Sequence, residues 1–309
     1  MKRTLALLLA CMVILSALVF TACGGSAEKK SEEKAVEGVT FTTVGDLKKS
    51  GTTYDFITAN SDVQDEAVVC QINKDAEGDI TIPATHDDKD VVAVISEAPE
   101  AATKLSSVTI EAGVLYVENC FKDLSYIESL TLPSSVKAFY HSFNNNSGLK
   151  EISFPFTVKY IVDSFNSALS LEKIDTNGFV YGIADAFNDT PVLADVKFNG
   201  SIQKIENSFV NCGVNAVSFI ENIHDVVSSF NECVVLESLS VEQIANTFKG
   251  SFCKCTNLKT VKFAQSAENI MLSFNDDEAL ENVDFGGEPP ISDSFQNCGS
   301  YKLPEPKAE

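Results

Sequence analysis

The 309-residue sequence contains no Trp, and its one Arg is Arg3, at the extreme N-terminus. These two residue types most often anchor tight protein interfaces. Histidine is also scarce, with His86, His141 and His224 in separate segments. A Gly-rich phosphate loop, a His-pair metal motif and a nucleophile elbow are missing. The sequence therefore gives no support for an enzyme, and we predict that the protein is not one.

Positive charge is the next shortage, with 23 Lys and Arg against 44 Asp and Glu and a net charge of −21. Removal of residues 1–22 would take away Lys2 and Arg3, which leaves 21 basic residues against 44 acidic ones, or −23. A chain this acidic repels the phosphate backbone. Nucleic acid is therefore excluded as a partner.

The N-terminus has the three parts of an export signal. Lys2 and Arg3 precede an apolar run from Leu5 to Phe20, and small residues lead up to Cys23. Residues 1–22 are thus predicted to be a signal peptide. The sequence around Cys23 resembles the bacterial lipobox, which implies lipidation of Cys23 and a membrane-anchored lipoprotein. A transmembrane anchor or simple secretion remains an alternative. Residues 23–37 are small and charged, which predicts a flexible tether.

The rest of the sequence is dominated by a repeat with a period of 22 residues. A Phe returns at intervals of 21 or 22 residues, usually after a small residue, at positions 121, 143, 165, 187, 209, 230, 252, 274 and 295. Apolar residues recur six, nine and eleven positions after this Phe and four positions before it. The spacing from Phe209 to Phe230 is one residue short, after which the register resumes. A fixed period of this length indicates a solenoid of stacked coils.

The apolar positions nine and eleven after each Phe alternate as in a short strand with one buried face. We therefore predict a mainly β repeat solenoid with one strand per coil, and these strands form a parallel β-ribbon. The recurring Phe is expected to fill the interior opposite the strand.

The combined pattern L-x-x-I-x-F-P followed by V-x-x-I-x-x-S-F-x-x-C resembles the BspA-type leucine-rich repeat family of bacterial surface proteins. Pro133 and Pro155 follow the strand, and Cys stands three residues after the Phe at positions 212, 233, 255 and 298. The resemblance implies a leucine-rich repeat array of about nine 22-residue coils at residues 99–303. Residues 38–98 would be an N-terminal capping segment, and residues 304–309 a tail.

Cys212, Cys233 and Cys255 fall on the same inward position of successive coils. Neighbouring strands are ~4.8 Å apart, within the Cα range of a disulfide. Their side chains nevertheless point the same way, which favours buried free thiols over a disulfide or a metal site. Asp87-Asp88 and Asp276-Asp277-Glu278 could hold calcium, although solvated turns are the favoured interpretation. We expect no cofactor.

The outward positions of the strands offer a candidate ligand face, rich in Ser, Thr and paired charges and free of aromatic rings. Its candidate residues are Glu151, Ser153, Lys173, Asp175, Asp195, Lys197, Ser218, Ser238 and Ser240. The first hypothesis is a surface binding protein or adhesin that presents this face to an extracellular protein or glycan. The second is a structural, envelope-organising module with no dedicated small ligand. Pro304 and Pro306 are expected to block edge pairing, which favours the first hypothesis.

Overall fold

The computed structural model describes residues 38–60, 62–96, 104–125, 127–288 and 290–301. The predicted signal peptide at 1–22, the lipidation site Cys23, the tether at 23–37 and the tail at 304–309 lie outside these residues. Their assignments remain predictions.

The first part of the described chain is a small mixed unit. It contains β1 (Val39–Thr43), α1 (Val44–Ser50), α2 (Asp55–Thr58), β2 (Val68–Ile72), β3 (Glu77–Ile82), β4 (Thr85–His86) and β5 (Lys89–Ser96). Helix α1 begins after Thr43, whose hydroxyl accepts the Asp46 N–H, and ends at Gly51 in the left-handed conformation. Such caps satisfy backbone groups that a short helix leaves unpaired.

The repeat region consists of short strands that alternate between two faces of the solenoid. In chain order they are β6 (Lys104–Ile110), β7 (Tyr116–Glu118), β8 (Ser129–Thr131), β9 (Ala138–Tyr140), β10 (Glu151–Phe154), β11 (Tyr160–Val162), β12 (Lys173–Thr176), β13 (Gly182–Ala184), β14 (Asp195–Phe198), β15 (Ile202–Glu206), β16 (Ala216–Phe219), β17 (Ile223–Val227), β18 (Ser238–Val241), β19 (Ala245–Lys249), β20 (Thr260–Phe263), β21 (Asn269–Met271), β22 (Asn282–Asp284) and β23 (Ile291–Ser292).

Each coil contributes two strands, so the prediction of one strand per coil was wrong. The predicted ribbon face holds a three-stranded sheet, β3-β6-β8, and a seven-stranded sheet from β10 to β22. The opposite face is a longer sheet in which β1, β2 and β5 lead into β7, β9 and every second strand to β23. Strands of this second sheet such as β15 bury residues three positions apart, Ile202 and Ile205, so the sequence does not show the alternation by which a half-buried strand is recognised.

The predicted ribbon is also interrupted, because β8 pairs with β6 whereas β10 begins a separate sheet. A second weak point follows from the missing residue between Phe209 and Phe230. Strands β14 and β16 share only the Phe198–Phe219 pair, whereas β12 and β14 share four pairs. The shortened coil thus divides the seven-stranded sheet into two blocks.

The core lies between the two faces and confirms the predicted inward positions. The recurring Phe residues are buried, and their rings stack along the solenoid axis. Phe209 lies between Phe187 and Phe230, with ring centroids 5.0 and 4.8 Å away. Every one of these Phe residues has a positive φ, between 57° and 62°. Because this conformation is unfavourable for a bulky residue, packing and hydrogen bonds must hold it.

The residues beside the Phe explain why a Ser-Phe-Asn motif recurs. Ser142 Oγ accepts the N–H of Cys120 in the preceding coil, and Ser164 Oγ accepts that of Ser142. Asn144 Oδ1 accepts the N–H of Asn166 in the following coil. The same bonds return farther along, where Ser251 Oγ accepts the Ser229 N–H and Asn231 Oδ1 the Cys253 N–H. The motif thus satisfies buried backbone donors on both sides of each coil.

Within the described ranges, no helix is long and apolar enough to cross a membrane.

Candidate functional site

The outward residues of β10, β12 and β14 form the charged half of the candidate face. Glu151 lies opposite Lys173, which in turn lies opposite Asp195 on the next strand. One position farther along the face, Ser153 lies opposite Asp175, and Asp175 opposite Lys197. The structure therefore places these six predicted residues on one surface.

The ion pairs on this surface run along the strands, because each Lys pairs with the Asp two residues away on its own strand. Lys173 Nζ lies 3.3 Å from Asp175 Oδ2, and Lys197 Nζ lies 3.4 Å from Asp195 Oδ2. The hydrogen bond and charge of Asp175 raise the pKa of the Lys173 ammonium. Two residues apart on one strand, the side chains share a face, so each long Lys side chain can bend toward its own neighbour.

Asp175 has a further feature that suits a ligand contact. Its other carboxylate oxygen, Oδ1, is buried and makes no hydrogen bond within the described chain. Burial of an unpaired carboxylate oxygen is costly, and a partner that displaces the side chains covering this oxygen would supply the missing donor.

The second half of the face is polar and uncharged. Ser218 and Ser240 lie opposite each other on β16 and β18, and their Oγ atoms are 3.0 Å apart. Ser238 occupies the neighbouring outward position of β18, opposite Ala216 and Thr260. The structure therefore places these three Ser residues on one surface. It separates them from the charged half at the weakly paired β14–β16 boundary.

A groove beside the charged half was not predicted. It has a volume of about 610 Å³ and contains two residues of the candidate face, Lys173 and Asp195. Its other lining residues are Lys150, Leu169, Ser170, Glu172, Val192 and Ala194. Leu169 and Val192 are apolar yet about half exposed. Their position in a turn between buried repeat positions was the available signal, since such turns are normally polar.

The cysteine ladder is present, and its thiols are free. Cys212 Sγ lies 3.4 Å from Cys233 Sγ, and Cys255 Sγ contacts the carbonyl oxygen of Phe230. Burial raises the pKa of the Cys212 thiol well above its ordinary value. The interpretation as buried thiols agrees with this packing. In the described part of the chain, no group of three metal-ligating side chains comes together.

The two acidic segments differ from each other. Asp87 and Asp88 form an exposed turn, as predicted, with φ values of 49° and 59°. Asp277 instead is buried at the position where other coils carry Cys, so a solvated turn was the wrong interpretation there. Its Oδ1 accepts the Cys255 N–H at 2.8 Å. Burial raises the pKa of the Asp277 carboxyl to about 8.

The three histidines lie apart and make different contacts. His86 stacks on Phe41 at 3.7 Å, and His224 Nδ1 lies 3.1 Å from Asn246 Nδ2. His141 bridges two carboxylates, with Nδ1 2.7 Å from Asp163 and Nε2 2.9 Å from Asp55. The imidazole of His141 thus contacts two carboxylates, and that of His224 contacts one amide.

Stacked coils, parallel strands on two faces and repeating buried Leu, Ile and Phe define a leucine-rich repeat solenoid. The family model for the BspA type leucine rich repeat region matches residues 88–186 and 183–302, with six copies. The chain belongs to this family.

Three solved structures resemble the chain at low identity. A leucine-rich repeat protein from Bacteroides ovatus is 16% identical, covers 87% of this chain and 81% of its own, and gives a TM-score of 0.45. The T. pallidum leucine rich repeat protein is 20% identical, covers 69% of this chain and 83% of its own, and gives a TM-score of 0.38. A leucine rich cell surface protein from Faecalibacterium prausnitzii is 13% identical, covers 72% of this chain and 91% of its own, and gives a TM-score of 0.29. No curated protein matches the chain.

Proposed function

We propose that this protein is a non-enzymatic binding protein of the bacterial cell surface, tethered through lipidated Cys23. It recognises an extracellular protein or glycan through the strand face formed by β10 to β18. Family membership supports a surface role, and the export signal predicted at residues 1–22 supports the tether.

The surface of alternating charge on β10, β12 and β14 is the observation that carries this proposal. It includes Asp175, whose Oδ1 has no hydrogen-bond partner within the described chain, and it lies beside a groove with two exposed apolar side chains. A partner that supplies a hydrogen-bond donor to Asp175 and an apolar group to the groove would match both features. Electrostatic patterning of this kind contributes chiefly to specificity and association rate.

The test is a pull-down of the mature chain against host matrix proteins and cell-wall fractions, followed by charge reversal. Lys173→Asp, Asp175→Lys, Asp195→Lys and Lys197→Asp together preserve the pairing within each strand and invert the charges that a partner meets. We expect the fourfold variant to lose the captured partner.

The matched control is Glu232→Lys with Lys254→Glu, which reverses an exposed ion pair of 3.1 Å located in the turns. This control should bind normally. Unchanged binding by the fourfold variant would exclude the strand face, and failure to capture any partner would favour a structural module.

A further inference from the structure

The outward side of the second sheet is partly covered by the N-terminal unit. Val44 and Leu47 of α1 and Phe56 of α2 pack with Tyr116 and Tyr140 in a separate apolar cluster. This cluster lies on the side of the sheet away from the solenoid core. The helices therefore bury the outward face of the first coils.

The aromatic character of this side continues beyond the helices, where the rings become exposed. Tyr160 on β11 is 42% exposed, Tyr181 just before β13 is 49% exposed, and Phe156 in the preceding turn is 65% exposed. The rings of Tyr160 and Tyr181 are nearly parallel, with centroids 5.7 Å apart and planes at 18°. Phe179 meets Tyr181 edge to face at 4.8 Å. We call these four residues the aromatic patch.

Two local features shape the aromatic patch. Gly182 lies opposite Tyr160 on the next strand, and a Cβ built there would stand 3.6 Å from the Tyr160 ring. A larger side chain would therefore cover that ring. Lys159 Nζ donates to the carbonyl oxygen of Phe179 at 2.8 Å and lies 5.9 Å from its ring centroid. Its ammonium is thus fixed beside the rings.

The patch ends abruptly at the next strand. On β15, Lys204 and Glu206 form an ion pair of 2.7 Å, and polar residues occupy most of the outward positions farther along. Exposed apolar surface with a polar border marks a binding site more often than a tolerated defect. The composition of the patch, two Tyr, two Phe and a fixed Lys, then indicates what it would bind.

We propose that the aromatic patch is a carbohydrate-binding site for the pyranose rings of an uncharged polysaccharide. A pyranose has an apolar C–H face that packs on an aromatic ring, and its edge carries hydroxyls that need donors and acceptors. The patch supplies rings from Phe156, Tyr160 and Tyr181, together with the Lys159 ammonium and two Tyr hydroxyls. Sites for small ligands combine aromatic walls with a few placed polar groups in this way.

Two other occupants fit less well. A partner helix docks through Leu, Ile and Val side chains in a groove, whereas this patch is made of aromatic rings. A polyanionic glycan would be repelled by the net charge of −21.

The test uses the full chain in a detergent without a sugar headgroup and measures co-sedimentation with cellulose and chitin, which are both uncharged. Titration with cello- and chito-oligosaccharides, followed by Tyr fluorescence, gives affinities, since the chain has no Trp to mask this signal. We expect binding to at least one of these probes. The double variant Tyr160→Ala and Tyr181→Ala should weaken it about tenfold or more, which equals ~1.4 kcal/mol.

Two control variants make the result specific. Tyr160→Phe with Tyr181→Phe keeps the rings and should retain most of the binding. Val234→Ala with Val235→Ala removes two exposed apolar side chains from a turn that belongs to neither proposed site and should leave glycan binding unchanged. This second control separates the aromatic patch from exposed apolar surface in general.

Three outcomes would overturn the proposal. The first is a wild-type chain that binds none of the polysaccharides. The second is binding that survives the double Ala change. The third is self-association in analytical ultracentrifugation that is lost with the double Ala change while glycan binding is not, which would assign the patch to a second copy of the chain.

Discussion

The imidazole of His141, the residue directly after β9, lies with Nε2 2.9 Å from Oδ2 of Asp55, the first residue of α2. The same helix is held at a second point, where Glu118 accepts the N–H groups of Asp55 and Phe56 at 2.7 and 2.9 Å. Tyr54, the residue before α2, makes no side-chain cap. Side chains of the first coils thus supply the contacts that position this helix.

The His141 bridge predicts a pH dependence of helix docking. Burial opposes the charge on His141, but hydrogen bonds to Asp163 and Asp55 outweigh it and raise the pKa of the imidazole. The stabilisation is therefore fully present below the unfolded pKa of about 6.5 and is lost as pH rises through the folded value. The protection factors of the α2 amides, which correct for the intrinsic rise of exchange with pH, should fall across this window.

The control for this prediction is His141→Gln, which keeps a polar side chain that cannot be charged. Its α2 amides should exchange faster at low pH and show a flatter pH profile. Parallel profiles for the wild type and the variant would mean that the protonated imidazole does not hold the helix.

Asp277 should lower the stability of the fold as pH rises from about 4 to about 8. Its pKa is raised from 3.8 to about 8 by burial, so folding favours the protonated form. This contribution is present below about pH 4 and is lost as pH rises toward 8, at about 1.4 kcal/mol per pH unit. Asp277→Asn keeps an acceptor for the Cys255 N–H and removes the titration. Urea denaturation at pH 5 and pH 8 should show a smaller loss for the variant, and equal losses would contradict a buried protonated carboxyl.

Phe209 and Phe295 test the stacked core. Phe209 is fully buried between two rings, and Phe209→Ala should cost about 3–5 kcal/mol. Phe295 stacks on Phe274 on one side, is covered on the other by the edge contact of Tyr301, and is 7% exposed. Phe295→Ala should cost less. Chemical denaturation of the two variants measures the difference, and equal destabilisation would argue against an array whose last coil is less supported.

Cys23 tests the anchor. Because an apolar run with small residues ends at this cysteine, Cys23→Ser should abolish lipidation and leave the protein uncleaved or released. Mass spectrometry of the N-terminus and membrane fractionation check both effects. Variant protein that is still cleaved, acylated and bound to membranes would show that another residue carries the anchor.

The sequence predicted the interior of the coils because Phe, Leu and Ile must fill an identical space at each turn. Phe143, Leu149 and Ile152 could therefore be assigned from one period. The second sheet was not predicted because strands such as β15 bury residues three positions apart, Ile202 and Ile205, and so lack the alternation that identified the ribbon. The aromatic patch was not predicted either. Tyr160 and Tyr181 occupy neighbouring positions of the repeat, not the same one, so they do not recur with its 22-residue period.

The paired charges show another limit of the repeat pattern. Spacing identified Lys173, Asp175, Asp195 and Lys197 as one surface, yet it could not tell which carboxylate each ammonium would reach. That choice depends on side-chain rotamers, which are not periodic. The buried Oδ1 of Asp175 and the groove beside Lys173 likewise depend on packing between particular neighbours.

The Ser and Asn bonds between coils have a genetic consequence. Ser142 accepts a backbone N–H of the preceding coil, and Asn144 accepts one of the following coil. Most other coils have the same acceptors at the same positions. Unequal recombination that removes or duplicates one 22-residue unit rejoins matching donors and acceptors. A deletion of half a unit would instead place residues that face outward beside residues that face the core, so the donors and acceptors of neighbouring coils would not match. Alleles of this gene are therefore expected to differ in length by whole coils.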